Sequence, residues 1–180
     1  MLKSKKSLSN EQNAIALNDT YEYYDAFYSL LEKAEQDINA DKEKNRRLSW
    51  NEMYMMIAQI VARRSKDPHT KVGAVLVKDN RILGIGYNAE PKNFKLDFDW
   101  HSSEKYDFVI HAELNAIANS TYFGNSIEGS DMYLTLSPCH ECMKLIIQYQ
   151  IKRIFYHTKY KDFAFVKKMA EHSGIELIEL

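Results

Sequence analysis

Val109-Ile110-His111-Ala112-Glu113-Leu114-Asn115-Ala116-Ile117, followed by Met132-Tyr133-Leu134-Thr135-Leu136-Ser137-Pro138-Cys139-His140-Glu141-Cys142, is the stretch on which the fold turns. Ile110, Leu114 and Ile117 recur three or four residues apart, which predicts a helix from Val109 to about Ser120. Met132–Leu136 reads as a strand, and Pro138 at a first-turn position opens a further helix that buries Leu145, Ile146 and Ile147. The same stretch carries chemistry. One imidazole and two thiols are ligand types that Zn²⁺ prefers, and three protein ligands leave a fourth tetrahedral position open for water. On a continuous helix Glu113 stands about 200° round the axis from His111, at ~100° per residue, and so need not ligate the metal. The thiols open a helix, where the positive dipole end favours thiolate, as a metal does.

Working outward, Ser49-Trp50-Asn51-Glu52 has capping-box spacing and precedes an apolar stripe of Met53, Met56, Ile57, Ile60 and Val61, giving a helix over about 50–64. Val72–Val77 and Ile82–Tyr87 flank Lys78-Asp79-Asn80-Arg81 and predict an antiparallel hairpin. Residues 88–108 have no clear period and are read as a long loop bordering the site. Arg153–Tyr156 predicts a strand, 161–172 a helix, and Ile175–Ile178 a last strand. The expected fold is therefore α/β: a three-layer sandwich with a mixed five-stranded sheet between helices, antiparallel at the hairpin and parallel where helices cross over. This domain is expected over 49–180. Residues 1–48 are read as an extension with one amphipathic helix, in which Tyr21, Tyr24, Phe27, Leu31, Ala34 and Ile38 share a face, followed by a charged linker at 41–47.

Composition narrows the function classes. Lys+Arg of 24 against Asp+Glu of 25 gives a net charge of −1 over 180 residues, so no basic field recruits polymeric nucleic acid, and a small-molecule partner is expected. No apolar run reaches the ~18 residues of a membrane span, and the polar start does not read as a signal core. Both cysteines lie in the Cys-x-x-Cys motif, which leaves no disulfide framework and points to a reducing, cytoplasmic setting.

Two rival readings of the motif remain. Strand, Cys-x-x-Cys and helix in order also describe a thiol redox site. The prolines stand only at 68, 91 and 138, so none follows the motif to line such a site, and the distant His-x-Glu goes unexplained. A purely structural zinc site would take a fourth Cys or His. The nearby candidates are His140, placed between the cysteines at the helix start, and His157, on another element.

The His-x-Glu and Pro-Cys-x-x-Cys pairing is the signature of zinc nucleobase deaminases. Further stretches point to the nucleotide branch: Arg64-Ser65-Lys66-Asp67-Pro68 running into Lys71-Val72-Gly73-Ala74, Gly84-Ile85-Gly86-Tyr87-Asn88, Lys105-Tyr106, Leu145-Ile146-Ile147-Gln148 and Lys159-Tyr160-Lys161-Asp162. From about Trp50 to Leu180 the chain resembles the deoxycytidylate deaminases of the cytidine deaminase-like superfamily. The resemblance implies Zn²⁺ on His111, Cys139 and Cys142, with Glu113 as general base and then acid. It implies carbonyls near Ala112 and Ser137 for the exocyclic amine, Asn88 for the sugar, Tyr160 for the pocket, and Arg64 and Lys66 for the phosphate. Arg63, Arg64, Lys66 and Lys71 make that segment locally basic, which suits a phosphate. Within the superfamily, free cytidine, a tRNA adenosine or another aminated base are the alternative substrates. The resemblance also implies a homo-oligomer, a hexamer foremost, and Mg²⁺ only where nucleotide effectors bind. Family members regulated by dCTP carry a glycine-rich Gly-Tyr-Asn-Gly segment with a later Gly-Cys pair. Here Gly86-Tyr87-Asn88-Ala89-Glu90-Pro91-Lys92-Asn93-Phe94 stands in its place, and weak or absent dCTP activation and dTTP inhibition are expected.

Overall fold

Ser49 begins the first helix as its spacing predicts. Its Oγ accepts from the Glu52 N–H at 3.3 Å while Glu52 Oε2 accepts from the Ser49 N–H at 2.7 Å, closing a capping box on α1 (Trp50–Ala62). The computed structural model describes Glu32 and residues 47–180. The amphipathic helix expected across Tyr21–Ile38 and the linker expected at 41–47 otherwise lie outside the described residues.

After α1 come β1 (Gly73–Lys78), β2 (Arg81–Tyr87), α2 (Lys105–Phe108), α3 (Ala112–Tyr122), β3 (Asp131–Leu136), α4 (His140–Gln148), β4 (Arg153–Thr158), α5 (Phe163–Ser173) and β5 (Glu176–Glu179). The β1–β2 hairpin closes on Asp79 and Asn80 at φ 50° and 58°, the left-handed pair that matches strand twist in a two-residue turn. The five strands form one sheet in the order β2-β1-β3-β4-β5. β1 is antiparallel to both β2 and β3, while β3–β4 and β4–β5 are parallel. The mixed five-stranded sheet read from the sequence is present.

Alternation along the strands divides the core in two. Ala74, Leu76, Met132, Leu134, Ile154 and Tyr156 face α3, α4 and α5. Val75, Val77, Tyr133 and Phe155 face Tyr54, Met55 and Ala58 of α1. Strands covered on both faces read as continuous apolar runs, which explains why Gly73–Val77 shows no polar alternation. One glycine sets the depth of the sandwich near the site. A Cβ on Gly86 of β2 would come within 2.2 Å of Ala116 N and 2.3 Å of Ala112 O, so the first turns of α3 lie directly on the strand backbone. No helix among the described residues is long and apolar enough to cross a membrane.

Three local expectations need correction. Ile110 is not helical: its N–H donates to Ala89 O at 2.9 Å and its C=O accepts from Ala89 N at 3.2 Å, an isolated bridge that holds it extended. His111 is therefore the N-cap of α3, and the angular argument that placed it within the helix does not apply. Likewise Cys139 is the N-cap of α4, so Pro138 precedes the helix and is not in its first turn. The stretch 88–108, expected as loop throughout, contains the short helix α2.

Candidate active site

His111 and Cys139 occupy equivalent positions at the starts of two helices. Both have extended backbones, with φ/ψ of −73°/157° and −79°/168°, and neither side chain caps its own helix. Their ligand atoms are thus left to face each other across the gap between α3 and α4. Cys142, one turn into α4, completes the group. His111 Nδ1 lies 3.5 Å from Cys139 Sγ and 3.3 Å from Cys142 Sγ, and all three ligand atoms lie within 4.8 Å of one another. Nitrogen–metal bonds of ~2.0 Å and sulfur–metal bonds of ~2.3 Å at tetrahedral angles put N and S about 3.5 Å apart, so the donor set fits Zn²⁺ in type and spacing.

The electrostatics of the three groups is that of a proton shared too many ways. The Cys139 thiol is brought down to about 4, chiefly by the hydrogen bond from Cys142 and then by His111, against the opposing effect of burial. Cys142 is pushed up as donor to Cys139 and by burial. His111 is raised by its hydrogen bond to Cys139, with burial opposing. Metal ligation requires both cysteines as thiolates, and a bound dication favours that form. Glu113 is 4% exposed, and burial pushes its carboxyl above the usual range. A carboxyl so placed holds a proton more readily than an exposed one, as a proton carrier must.

Neither rival fourth ligand joins this group. His140 is exposed and pairs through Nδ1 with Asp162 Oδ2 at 2.9 Å, and His157 Nδ1 meets Leu180 O at 3.2 Å. Among the described residues the cluster has three members and an open side, and the open side is a cleft of about 160 Å³.

Of the residues singled out in the sequence, His111, Cys139, Glu113, Ala112, Ser137, Asn88 and Tyr160 all line this cleft, with Cys142 behind them. Ser137 Oγ accepts from the Tyr160 N–H at 2.8 Å, tying the end of β3 to the segment after β4. Asn88 braces the opposite wall: its Nδ2 donates to Thr70 O and its Oδ1 accepts from the Val72 N–H, both at 2.9 Å. Arg64 and Lys66, expected at the phosphate, are exposed and do not line the cleft. Lys66 is instead engaged with Glu90 at 2.9 Å. Sequence reasoning missed the polar pair that does line it, Asp67 and Lys105. Both carry the family resemblance, but 38 positions separate them and no periodicity links them.

Comparison with known proteins bears on this geometry. The family profile of the cytidine and deoxycytidylate deaminase zinc-binding region matches residues 48–158. A deoxycytidylate deaminase from Homo sapiens is 44% identical over 130 residues, 67% of this chain and 72% of that protein. A probable deoxycytidylate deaminase from Drosophila melanogaster is 42% identical over 146 residues, 72% of this chain and 71% of that protein. Among solved structures, dCMP deaminase from the cyanophage S-TIM5 in complex with dCMP and dUMP superposes with a TM-score of 0.68 at 30% identity. It covers 75% of this chain and 99% of that one.

Proposed function

The chain belongs to the cytidine and deoxycytidylate deaminase family, and from that premise we propose that it hydrolyses dCMP to dUMP and ammonia, supplying dUMP for thymidylate synthesis. The observation that carries the reading is the convergence of His111, Cys139 and Cys142 beside the buried carboxyl of Glu113 in one open cleft.

His111, Cys139 and Cys142 hold Zn²⁺, which when bound supplies Lewis-acid activation of water at neutral pH. Glu113 moves the protons. It accepts one from the water that adds to carbon 4 of cytosine, delivers it to ring nitrogen 3, and assists departure of the amino group as ammonia. Ala112 and Ser137 are assigned to the exocyclic amine, Asn88 to the sugar side and Tyr160 to the pocket wall. Arg64 is exposed with no ion pair among the described residues and remains the phosphate contact we assign to the rim. Lys66 is committed to Glu90.

The deciding experiment compares specificity constants of the zinc-loaded protein for dCMP and deoxycytidine, following ammonia release. Equal constants refute phosphate recognition, and no release from either refutes deamination of this base.

The 49–180 segment is taken as the catalytic domain, working as a homo-oligomer, with a hexamer as the assembly expected of the family. We assign it to a reducing compartment, the cytoplasm, because both cysteines are read as thiol ligands and not as a disulfide. Weak or absent control by dCTP, with Mg²⁺ needed only for such effectors, is also proposed. The reason rests on Ala89 and on the loop's charge pairing, because Asn93 takes φ 65° and so keeps the left-handed turn that a glycine would allow. Lys66 is paired with Glu90, and Lys92 lies over the Tyr122 ring at 5.6 Å, so neither lysine is arranged as a free phosphate clamp. A dCMP saturation curve that changes from sigmoidal to hyperbolic on adding dCTP and Mg²⁺ overturns this.

A further inference from the structure

Lys105 is the one cation among the described residues that is fully buried, at 3% exposure, and it lines the cleft that holds Glu113. Its Nζ stands 2.9 Å from each oxygen of Asp67. An ammonium carries three N–H donors, and one carboxylate engages at most two of them. The described residues offer Nζ no other hydrogen-bond acceptor, only the Tyr106 ring at 5.3 Å. A buried donor left unpaired is costly, and because Lys105 lines the cleft, the remaining N–H is within reach of a group that enters it.

Asp67 differs in its commitments. Its Oδ1 accepts from the His69 N–H at 2.9 Å, from the Thr70 N–H at 3.1 Å and from Lys105, whereas Oδ2 meets Lys105 alone. The pair thus presents one free donor and one free acceptor site side by side, with no net charge. A phosphate dianion gains little there, because the Asp67 carboxylate opposes it. A hydroxyl group fits both sites, accepting from Nζ and donating to Oδ2.

Thr70 links this pair to Asn88, whose side chain is bonded to the Thr70 carbonyl. Together they form a polar wall separate from the group of His111, Cys139 and Cys142, where the base must react. In dCMP the part left for that wall is the sugar, and its one free hydroxyl is on carbon 3′. We propose that Lys105, held in place by Asp67, is a substrate-contacting residue that donates a hydrogen bond to the 3′-hydroxyl of the deoxyribose. This rests on the dCMP reading above.

The test compares dCMP with 2′,3′-dideoxy-CMP, which lacks only that hydroxyl, on the zinc-loaded native protein and on Lys105→Met. In the native protein the dideoxy substrate should have a kcat/KM lower by about 10- to 100-fold, the range for a lost hydrogen bond to a charged group. Lys105→Met should bring the two substrates to within about 2-fold of each other, whatever it does to the activity they share. Calorimetric binding of dUMP and its 3′-deoxy analogue gives a readout free of catalysis and should show the same preference in the native protein and its loss in the variant. Since Lys105→Met strands the Asp67 carboxylate, Asp67→Asn combined with Lys105→Met is measured alongside, and the native comparison depends on no variant. Native protein that treats the two substrates alike within about 2-fold, or a variant that lowers both by the same factor, overturns the assignment. If the native protein does not turn over dCMP at all, the functional reading falls first and this contact with it.

Discussion

One wall of the cleft, made by His111 and Cys139 with Cys142 behind them, is carried at the starts of α3 and α4, and the other, made by Asp67, Asn88 and Lys105, is carried on loops and the four-residue α2. The first wall is positioned by apolar packing of the helices that carry it. Ala112, Ala116 and Ile117 of α3 and Met143 and Ile146 of α4 are buried in the larger core cluster, so the helix starts cannot shift without opening it. The second wall lies outside that cluster, with Phe108 of α2 packed on the Phe94 and Phe98 rings, and its polar side chains are fixed by hydrogen bonds and one ion pair. Ser65 Oγ donates to Asn88 O at 2.9 Å, Asn88 holds Thr70 and Val72, and Asp67 holds His69, Thr70 and Lys105. Two ways of fixing side chains therefore meet in one site. The packed wall should fail through chemistry at its reactive groups, and the bonded wall through loss of charge.

The sharpest contrast comes from Glu113→Gln, which changes one atom in the packed wall. We expect kcat to fall by about 10²- to 10⁴-fold while zinc content per chain and the melting temperature stay at native values or rise. Metal analysis beside the dCMP assay decides this, and a variant with substantial activity removes Glu113 as the proton carrier. The bonded wall should show the opposite profile. Asp67→Ala leaves the Lys105 ammonium buried without a counterion, at a cost of about 3–5 kcal/mol in stability read from denaturant midpoints.

The same wall should respond to acid. Burial alone raises the Asp67 carboxyl, but the His69 and Thr70 N–H groups and Lys105 together outweigh it and hold the group below the usual carboxylate range. A depressed folded value stabilises the native state above the unfolded value of ~3.9, and that stability is lost as pH falls through the folded value. Asp67→Asn should flatten the acid limb of the stability curve below about pH 4. An unchanged limb would mean that charge does not hold this wall. The smallest effect belongs outside both walls. Lys66 is 68% exposed and pairs only with Glu90, so Lys66→Ala should cost at most about 1 kcal/mol and leave kcat/KM for dCMP within about 2-fold. A larger loss of kcat/KM with dCMP than with deoxycytidine would return Lys66 to the phosphate site.

The two walls also differ in how far one dimension reveals them. His111, Glu113, Cys139 and Cys142 were identifiable because metal ligation restricts residue type and because two short motifs hold all four residues. What one dimension misplaced was the local backbone. His111 and Cys139 are N-caps and not helix residues, and for His111 the cause is a bridge between Ile110 and Ala89, a contact over 21 positions. Arg64 and Lys66 suited a phosphate by charge, yet a basic segment at the end of a helix has many directions to point, and the fold turned Lys66 toward Glu90.

By itself the sequence determined the mixed sheet, the order of its helices and strands apart from α2, and the chemistry of the metal-binding group, since these depend on periodicity or on residue types held in two short motifs. Only the tertiary structure decided that Asp67 and Lys105 form a buried pair in the same cleft, that Asn88 is a brace between Thr70 and Val72, and that Gly86 lets α3 settle onto β2. Pairings of this kind join segments 16 to 38 positions apart through single polar contacts. Such contacts have no repeat for a sequence to display, and they come into being only once apolar burial has brought the segments together.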